Sequence, residues 1–393
     1  MENVIIYDFL MIVMFVTLYK TGRKLETQKK FISKASFMAI LVYTLNEGLR
    51  FGRGVDYNHY WVAYDNIVKG VDYSKDFWGF YYFAKFLTTF DFSYQVCVLI
   101  LSFIFIISSL FLLQNYKGCI KYILPFWILF SFGQTENVLR WYMGVSFILV
   151  GLAILQQRRK NRILYYSVLS ILGCSIHYAL IPVPFVFLIL NYIKRPLLAP
   201  GTFIISAIIV AVISQLSSFS GFVNAFELLA SPFDRYSGYA DNADFWLTKA
   251  SHIGGFSSVT GVLDYIMSMI VLIIGYTISK DYGKKYVFMY NLFLISFIFR
   301  PLTAQMELLN RYDTLFYTFR AFTYAIVLRE YALRKVIGGH QVLNHLFIII
   351  VCVNFILPLI LPFKNDYRKY LYVWSSGNLT AEKMYVIYSH DRK

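Results

Sequence analysis

The chain has 393 residues, 58% of them hydrophobic and 15% charged, with a mean hydropathy of +0.55. Soluble globular chains carry about 45–50% apolar and about 25% charged residues. That composition excludes a water-soluble enzyme, a disordered chain, a coiled coil and a nucleic-acid binder, even though the formal net charge is +15. The expectation is an all-α, polytopic integral membrane protein forming one transmembrane domain over 1–393.

A helical span needs about 20 mostly apolar residues. The first stretch, 3–19, is expected to be retained rather than cleaved, because no basic segment precedes it and no small-residue cleavage site follows. The second covers 35–50 and opens onto a long loop, 51–92. In that loop Tyr57, Tyr60, Trp61 and Tyr64 recur at helical spacing. The row suits either a helix lying in the headgroup layer, where Tyr and Trp gather, or an aromatic platform for sugar rings. Asp56 at its start sits where a helix N-terminus favours an acid, and could instead bind a sugar hydroxyl. The run Phe77–Phe83 also looks interfacial.

Further spans follow at 93–113, 121–134 and 138–155. The apolar run 163–193 is interrupted by Cys174-Ser-Ile-His177 and by Pro182 and Pro184. It is therefore expected to form two short spans with a reversal near His177. Spans at 198–216, 261–279, 286–305, 312–329 and 343–362 complete a total of about twelve. A second long loop, 217–260, contains the aromatic and acidic segment Phe233–Trp246, and a tail covers 363–393.

Lys and Arg mark the cytoplasmic loops of a membrane protein. Alternate short loops, from 20–34 onward, carry 20 of the 37 Lys and Arg, whereas the opposite and much longer set carries 10. The short set is thus expected inside. Loops 51–92 and 217–260, both termini and the tail are expected outside.

Ionisable groups near spans are costly and usually have a partner or a function. Most of those here fall at outward ends: Glu47, Arg50, Arg53 and Asp56 after the second span, Glu136 and Arg140 at the fifth, His177 at the reversal, and Arg300, Glu307 and Arg311 late in the chain. The planar fork of arginine grips phosphate or carboxylate in a bidentate way. Arg50, Arg53, Arg140 and Arg311 together would hold a pyrophosphate. Each could equally pair with a neighbouring acid, Arg50 with Glu47, Arg140 with Glu136 and Arg311 with Glu307, at spacings that suit a helix surface. His177 is the one histidine set inside an apolar run, flanked by Ser175 and Tyr178. It suits either a satisfied core residue or a general base, since imidazole titrates near neutrality.

Four cysteines stand singly in apolar stretches, so no metal site or disulfide framework is expected. No phosphate-binding loop for ATP and no serine-hydrolase elbow occurs. Any chemistry would use a substrate that arrives activated, with no cofactor.

The stretch Leu49-Arg-Phe-Gly-Arg-Gly-Val-Asp-Tyr-Asn-His-Tyr60 resembles the R-x-G-x-D-Y-x-x-Y pattern of EpsG-type, Wzy-like polysaccharide polymerases. Asn137-Val-Leu-Arg140, Ser175-Ile-His177-Tyr178 and Glu307 through Arg311-Tyr312 are similar to the same family in the same order, over roughly residues 35–330. Trp141 departs from the pattern, where Gln is expected. The resemblance implies a GT-C-like glycosyltransferase of the bacterial cytoplasmic membrane, acting on its outer face. It would join oligosaccharide repeat units carried on undecaprenyl pyrophosphate, moving the growing chain onto the non-reducing end of a new unit.

On that reading, Arg140 and Arg311, with Arg50 or Arg53, bind pyrophosphate. His177 is the base, with Asp56 or Glu307 as alternatives, and Tyr57, Tyr60, Trp61 and Tyr178 contact sugar. The partners would be the lipid-linked donor and acceptor, the bilayer and a chain-length regulator. The competing readings are an O-antigen-type ligase, a flippase or secondary transporter, and a membrane acyltransferase.

Overall fold

The computed structural model describes residues 2–28, 32–54, 56–71, 78–216, 259–303, 307–334, 341–360 and 371–375. The loop 217–258, most of the C-terminal tail, and the expectations that fall on them lie outside the described residues. The described chain is almost entirely helical. In order, the helices are α1 (Glu2–Thr27), α2 (Lys34–Gly48), α3 (Tyr57–Val68), α4 (Trp78–Thr88), α5 (Tyr94–Leu113), α6 (Ile120–Asn137), α7 (Leu139–Leu155), α8 (Arg162–Ile176), α9 (Pro182–Tyr192), α10 (Pro200–Leu216), α11 (Val259–Asp281), α12 (Lys284–Thr303), α13 (Glu307–Thr318), α14 (Arg320–Arg334) and α15 (Gln341–Ile360). A two-residue strand β1 (Arg50–Phe51) pairs antiparallel with β2 (Leu371–Tyr372), Arg50 opposite Tyr372.

Local chemistry sets these boundaries. Ser33 opens α2 through a capping box with Ser36, their hydroxyls each serving the other's backbone N–H. Helices α9 and α10 begin on Pro182 and Pro200, where a missing N–H costs nothing. Between α5 and α6 a 3-10 turn, Gln114–Cys119, breaks the helix at Tyr116. The chain folds back there, and Trp127 Nε1 donates to Ser109 Oγ at 2.9 Å.

Two compact units divide the chain, Met1–Phe187 with Val351–Lys393, and Leu188–Ile350. In the first unit α7 and α8 touch backbone to backbone. A Cβ on Gly173 would lie 2.6 Å from the Gly144 carbonyl oxygen, and one on Gly144 would lie 2.6 Å from that of Gly173. Small residues permit such close helix pairs. Gly173→Ala is expected to cost about 1–3 kcal/mol through overpacking, read as a lower unfolding temperature in detergent. A wild-type temperature would show that the helices can separate freely. In the second unit, Asn291 braces the turn before α10, donating to the Arg195 carbonyl and accepting from Leu197 N.

By length and composition Asn3–Thr27, the α5–turn–α6 run Tyr94–Asn137, Gly261–Asp281 and Lys284–Thr303 can each cross a membrane. Others are shorter: the 17 residues of α7 extend about 26 Å, against a hydrocarbon core of about 30 Å. Along α10 the residues Ile205, Ile208, Ile209, Val212 and Ile213 are exposed in one stripe. Buried polar residues accompany exposed apolar ones, as lipid requires and water penalises. The chain is an integral membrane protein by these features.

One expectation changes. Where one span was expected over 312–329, the helix breaks at Phe319 between α13 and α14. The Thr318 hydroxyl donates back to the Thr314 carbonyl, a contact that bends helices. Tyr317 and Arg320 on either side of the break both turn to Asp264. The loop 51–92 contains two helices, α3 on the aromatic row and α4 over most of the Phe77–Phe83 run.

Candidate functional site

Glu47 lies in the last turn of α2, and the chain then passes through β1 to a glycine-flanked arginine. Gly54 has φ +95 and abuts the Glu136 carbonyl, a conformation and closeness that demand glycine. This turn places two guanidiniums around one carboxylate. Arg50 Nη1 and Arg53 Nη2 each stand 3.5 Å from Glu47, and Arg53 Nε stands 3.2 Å from Glu136. Glu47, Arg50 and Arg53 are 0%, 1% and 1% exposed. Arg50 Nη1 also donates to the Glu47 carbonyl at 2.8 Å, and Arg53 Nη2 to that of Asn46 at 3.0 Å.

The Arg53 guanidinium lies 4.8 Å from the Tyr372 ring centroid and 5.3 Å from that of Tyr7. Tyr372 donates its hydroxyl to Asn46 Oδ1 at 2.7 Å. Burial pushes its phenol up to about 12, with Arg53 opposing, so the donor stays protonated in any working buffer. The cavity beside Arg50, lined by Tyr43, Ser102, Thr135 and Tyr142 among others, has room for about one water. The expected Arg50–Glu47 pair is present. Glu136 pairs with Arg53, a partner distant in sequence.

A second group forms where α3, α4, α7 and the end of α8 meet. Arg140, in the first turn of α7, is buried with its guanidinium 5.1 Å from the Tyr60 centroid and 5.9 Å from that of Phe80. The next residue, Trp141, is buried and sets its ring edge-to-face against the His177 imidazole at 5.2 Å. His177 ends α8 in an extended conformation, φ −150 and ψ 103, before a 3-10 turn over Tyr178–Leu180. That is the reversal expected from the Cys-Ser-Ile-His and proline signals. Gly79 of α4 lies against Ser175 and Ile176, where a Cβ would come within 2.9 Å of backbone.

The structure sets Arg140 over Tyr60 and Phe80, and His177 against Trp141, the residue that follows Arg140 on α7. Asp56 lies nearby in the fold, half-buried at the start of α3, its N–H donating to Asn137 Oδ1 at 3.1 Å. The aromatic row of α3 is helical as expected. Tyr57, Tyr60 and Tyr64 point into the core formed with α4 and α5, and Trp61 is half-buried. Tyr178 is half-buried as well.

The second unit contains a charge cluster that sequence reasoning passed over. Asp264 of α11 lies 2.7 Å from Arg320 and 3.6 Å from Arg300, and Arg300 also lies 3.6 Å from Asp313. Tyr317 donates to Asp264 Oδ2 at 2.8 Å, Ser296 donates to Asp313 Oδ1 at 2.6 Å, and both guanidiniums lie within about 4 Å of the Tyr317 ring. Two acids and two arginines inside apolar stretches are the signal that would have found it. Asp264→Asn would leave both guanidiniums short of a counter-charge. It is expected to destabilise the protein by about 3–5 kcal/mol, measured by unfolding in detergent. A loss below about 1 kcal/mol would mean that the cluster does not hold α11, α12 and α14 together. Arg311 is half-buried on α13 in this unit, and the Glu307 side chain lies outside the described residues.

Among the described residues no group of three His, Cys, Asp or Glu could hold a metal ion. The chemistry available in the first unit is a guanidinium held over two aromatic rings, and an imidazole packed against the next residue of the same helix. The EpsG family model matches residues 33–372, from the cap of α2 to Tyr372 of β2. No curated protein matches, and no solved structure matches.

Proposed function

The chain belongs to the EpsG family, and from that premise we propose that it is a membrane glycosyltransferase polymerising polysaccharide repeat units. The donor and the acceptor would be oligosaccharides linked to undecaprenyl pyrophosphate, met on the outer face of the bacterial cytoplasmic membrane. The expected architecture is a GT-C-like bundle of about twelve spans, with a chain-length regulator as a further partner. The observation that carries the reading is the family match over residues 33–372, and the site proposed for it is Arg140, held over Tyr60, with His177 at the end of α8.

In the proposed step an acceptor hydroxyl attacks the anomeric carbon of the growing chain. The new glycosidic C–O bond forms as the anomeric C–O bond to pyrophosphate breaks. His177 takes the hydroxyl proton, with Asp56 and Glu307 as the alternative bases. Undecaprenyl pyrophosphate leaves with the electron pair, and Arg140 stabilises the charge that builds on it. Arg311 is proposed as a phosphate ligand in its own right, tested by Arg311→Ala. Arg50 and Arg53 are engaged by carboxylates and are better suited to holding the loop than to contacting phosphate. Trp61 and Tyr178, being half-buried, are the better placed of the sugar-contact candidates, while Tyr57 and Tyr60 are buried in the core.

Purified protein incubated with lipid-linked repeat units should produce a ladder of polymer on a gel, without nucleotide or ATP. A single unextended band would sink the reading. Transfer to a lipid core without a ladder would favour the ligase instead.

A further inference from the structure

The C-terminal strand brings to the loop after α2 an aromatic ring whose use the polymerase reading leaves open. Trp374 is 56% exposed. Its ring lies flat on that of Tyr372, with centroids 4.6 Å apart and planes 4° from parallel. Tyr372 is itself buried and fixed on several sides. Its backbone pairs with Arg50, its hydroxyl donates to Asn46, and the Arg53 guanidinium lies 4.8 Å from its ring centroid. Val373 N donates to the Leu49 carbonyl at 3.0 Å, locking the segment between the two rings. Beside it Phe51 and Leu371 form a small core against which Trp61 packs, with Phe51 and Trp61 edge-to-face at 5.4 Å.

We propose that Trp374 is a sugar-stacking subsite whose open indole face receives a pyranose ring of the lipid-linked repeat unit; this rests on the polymerase reading. The face of an indole is negative and its edge positive. The axial C–H bonds of a pyranose present a weakly positive, apolar surface of matching size. A ring already immobilised by stacking and strand pairing loses little conformational entropy when a sugar settles on it. The mounting also argues against a lipid occupant. The exposed isoleucines of α10 form an apolar stripe on a single helix, whereas Trp374 is seated on a tyrosine backed by the Glu47–Arg53–Glu136 ion cluster.

The test uses full-length protein in bilayer discs of phosphatidylethanolamine and phosphatidylglycerol. Trp374→Ala should raise the KM for the lipid-linked unit about two- to ten-fold at unchanged kcat, and Trp374→Phe should restore most of it. Titration with the repeat-unit oligosaccharide, freed from its lipid by mild acid, should quench tryptophan emission in the wild type and much less in Trp374→Phe. An unchanged KM together with equal quenching overturns the subsite, as does quenching of the Trp374 contribution by brominated lipid, which would make it a membrane anchor. If the wild type makes no ladder, the polymerase reading fails, and the oligosaccharide titration still decides the subsite by itself.

Discussion

Glu47→Gln is expected to destabilise the protein by about 3–5 kcal/mol, because it removes one carboxylate from a buried cluster of two acids and two arginines. Glutamine is nearly isosteric, so the loss would be electrostatic. Arg50 would lose its carboxylate partner, and Arg53 would retain Glu136 at 3.2 Å. The cluster joins the end of α2, the Arg50–Gly54 turn, the end of α6 and strand β2, so its failure should loosen the C-terminal strand as well. Unfolding in a fixed detergent, followed by far-UV circular dichroism, measures the effect. A double-mutant cycle with Arg50→Gln separates charge imbalance from lost contacts. The pair should cost less than the sum of the singles, since both charges leave together. Strict additivity would show that the two side chains act independently.

The largest functional effects are expected at Arg140 and His177. Arg140→Ala should lower the polymerisation rate about 10²- to 10³-fold, the usual loss when a preorganised group facing a developing negative charge is removed. Arg140→Lys should recover only part of this, since an ammonium restores the charge without the bidentate fork. His177→Ala should cost about 10²- to 10⁴-fold. Both variants need to be compared at equal membrane insertion. A full-length ladder from either variant would remove that residue from the proposed chemistry. A ladder lost in Arg140→Ala but retained in Arg140→Gln would point to a role in shape rather than charge.

The helices were largely legible because a span requires a long apolar run and a loop interrupts it. The break between α8 and α9 was visible in His177 and the two prolines that follow. The helix α3 was visible in its aromatic spacing, and the Arg50–Glu47 pair in its three-residue separation. What that spacing left open was the direction of the row. A helical period identifies a face, and Tyr57, Tyr60 and Tyr64 turned out to face α4 and α5. The helix break at Phe319 carried no glycine or proline signal. It arises beside a threonine back-bond and two side chains committed to Asp264.

Composition and hydropathy by themselves determined a helical membrane protein and most of its apolar helices, and the spacing of Arg and His marked the candidates for its site. Only the tertiary structure decided which arginines are already occupied. Glu136 goes to Arg53, and Tyr372 reaches Asn46 across 326 residues of sequence. It likewise set Arg140 over Tyr60 and His177 against Trp141. Hydrophobic burial in lipid is a property of each segment and leaves a local, periodic trace. A buried ion pair between separate helices, such as Glu136 with Arg53, depends on two side chains that meet only after the helices have packed, and nothing near either one in sequence records its partner.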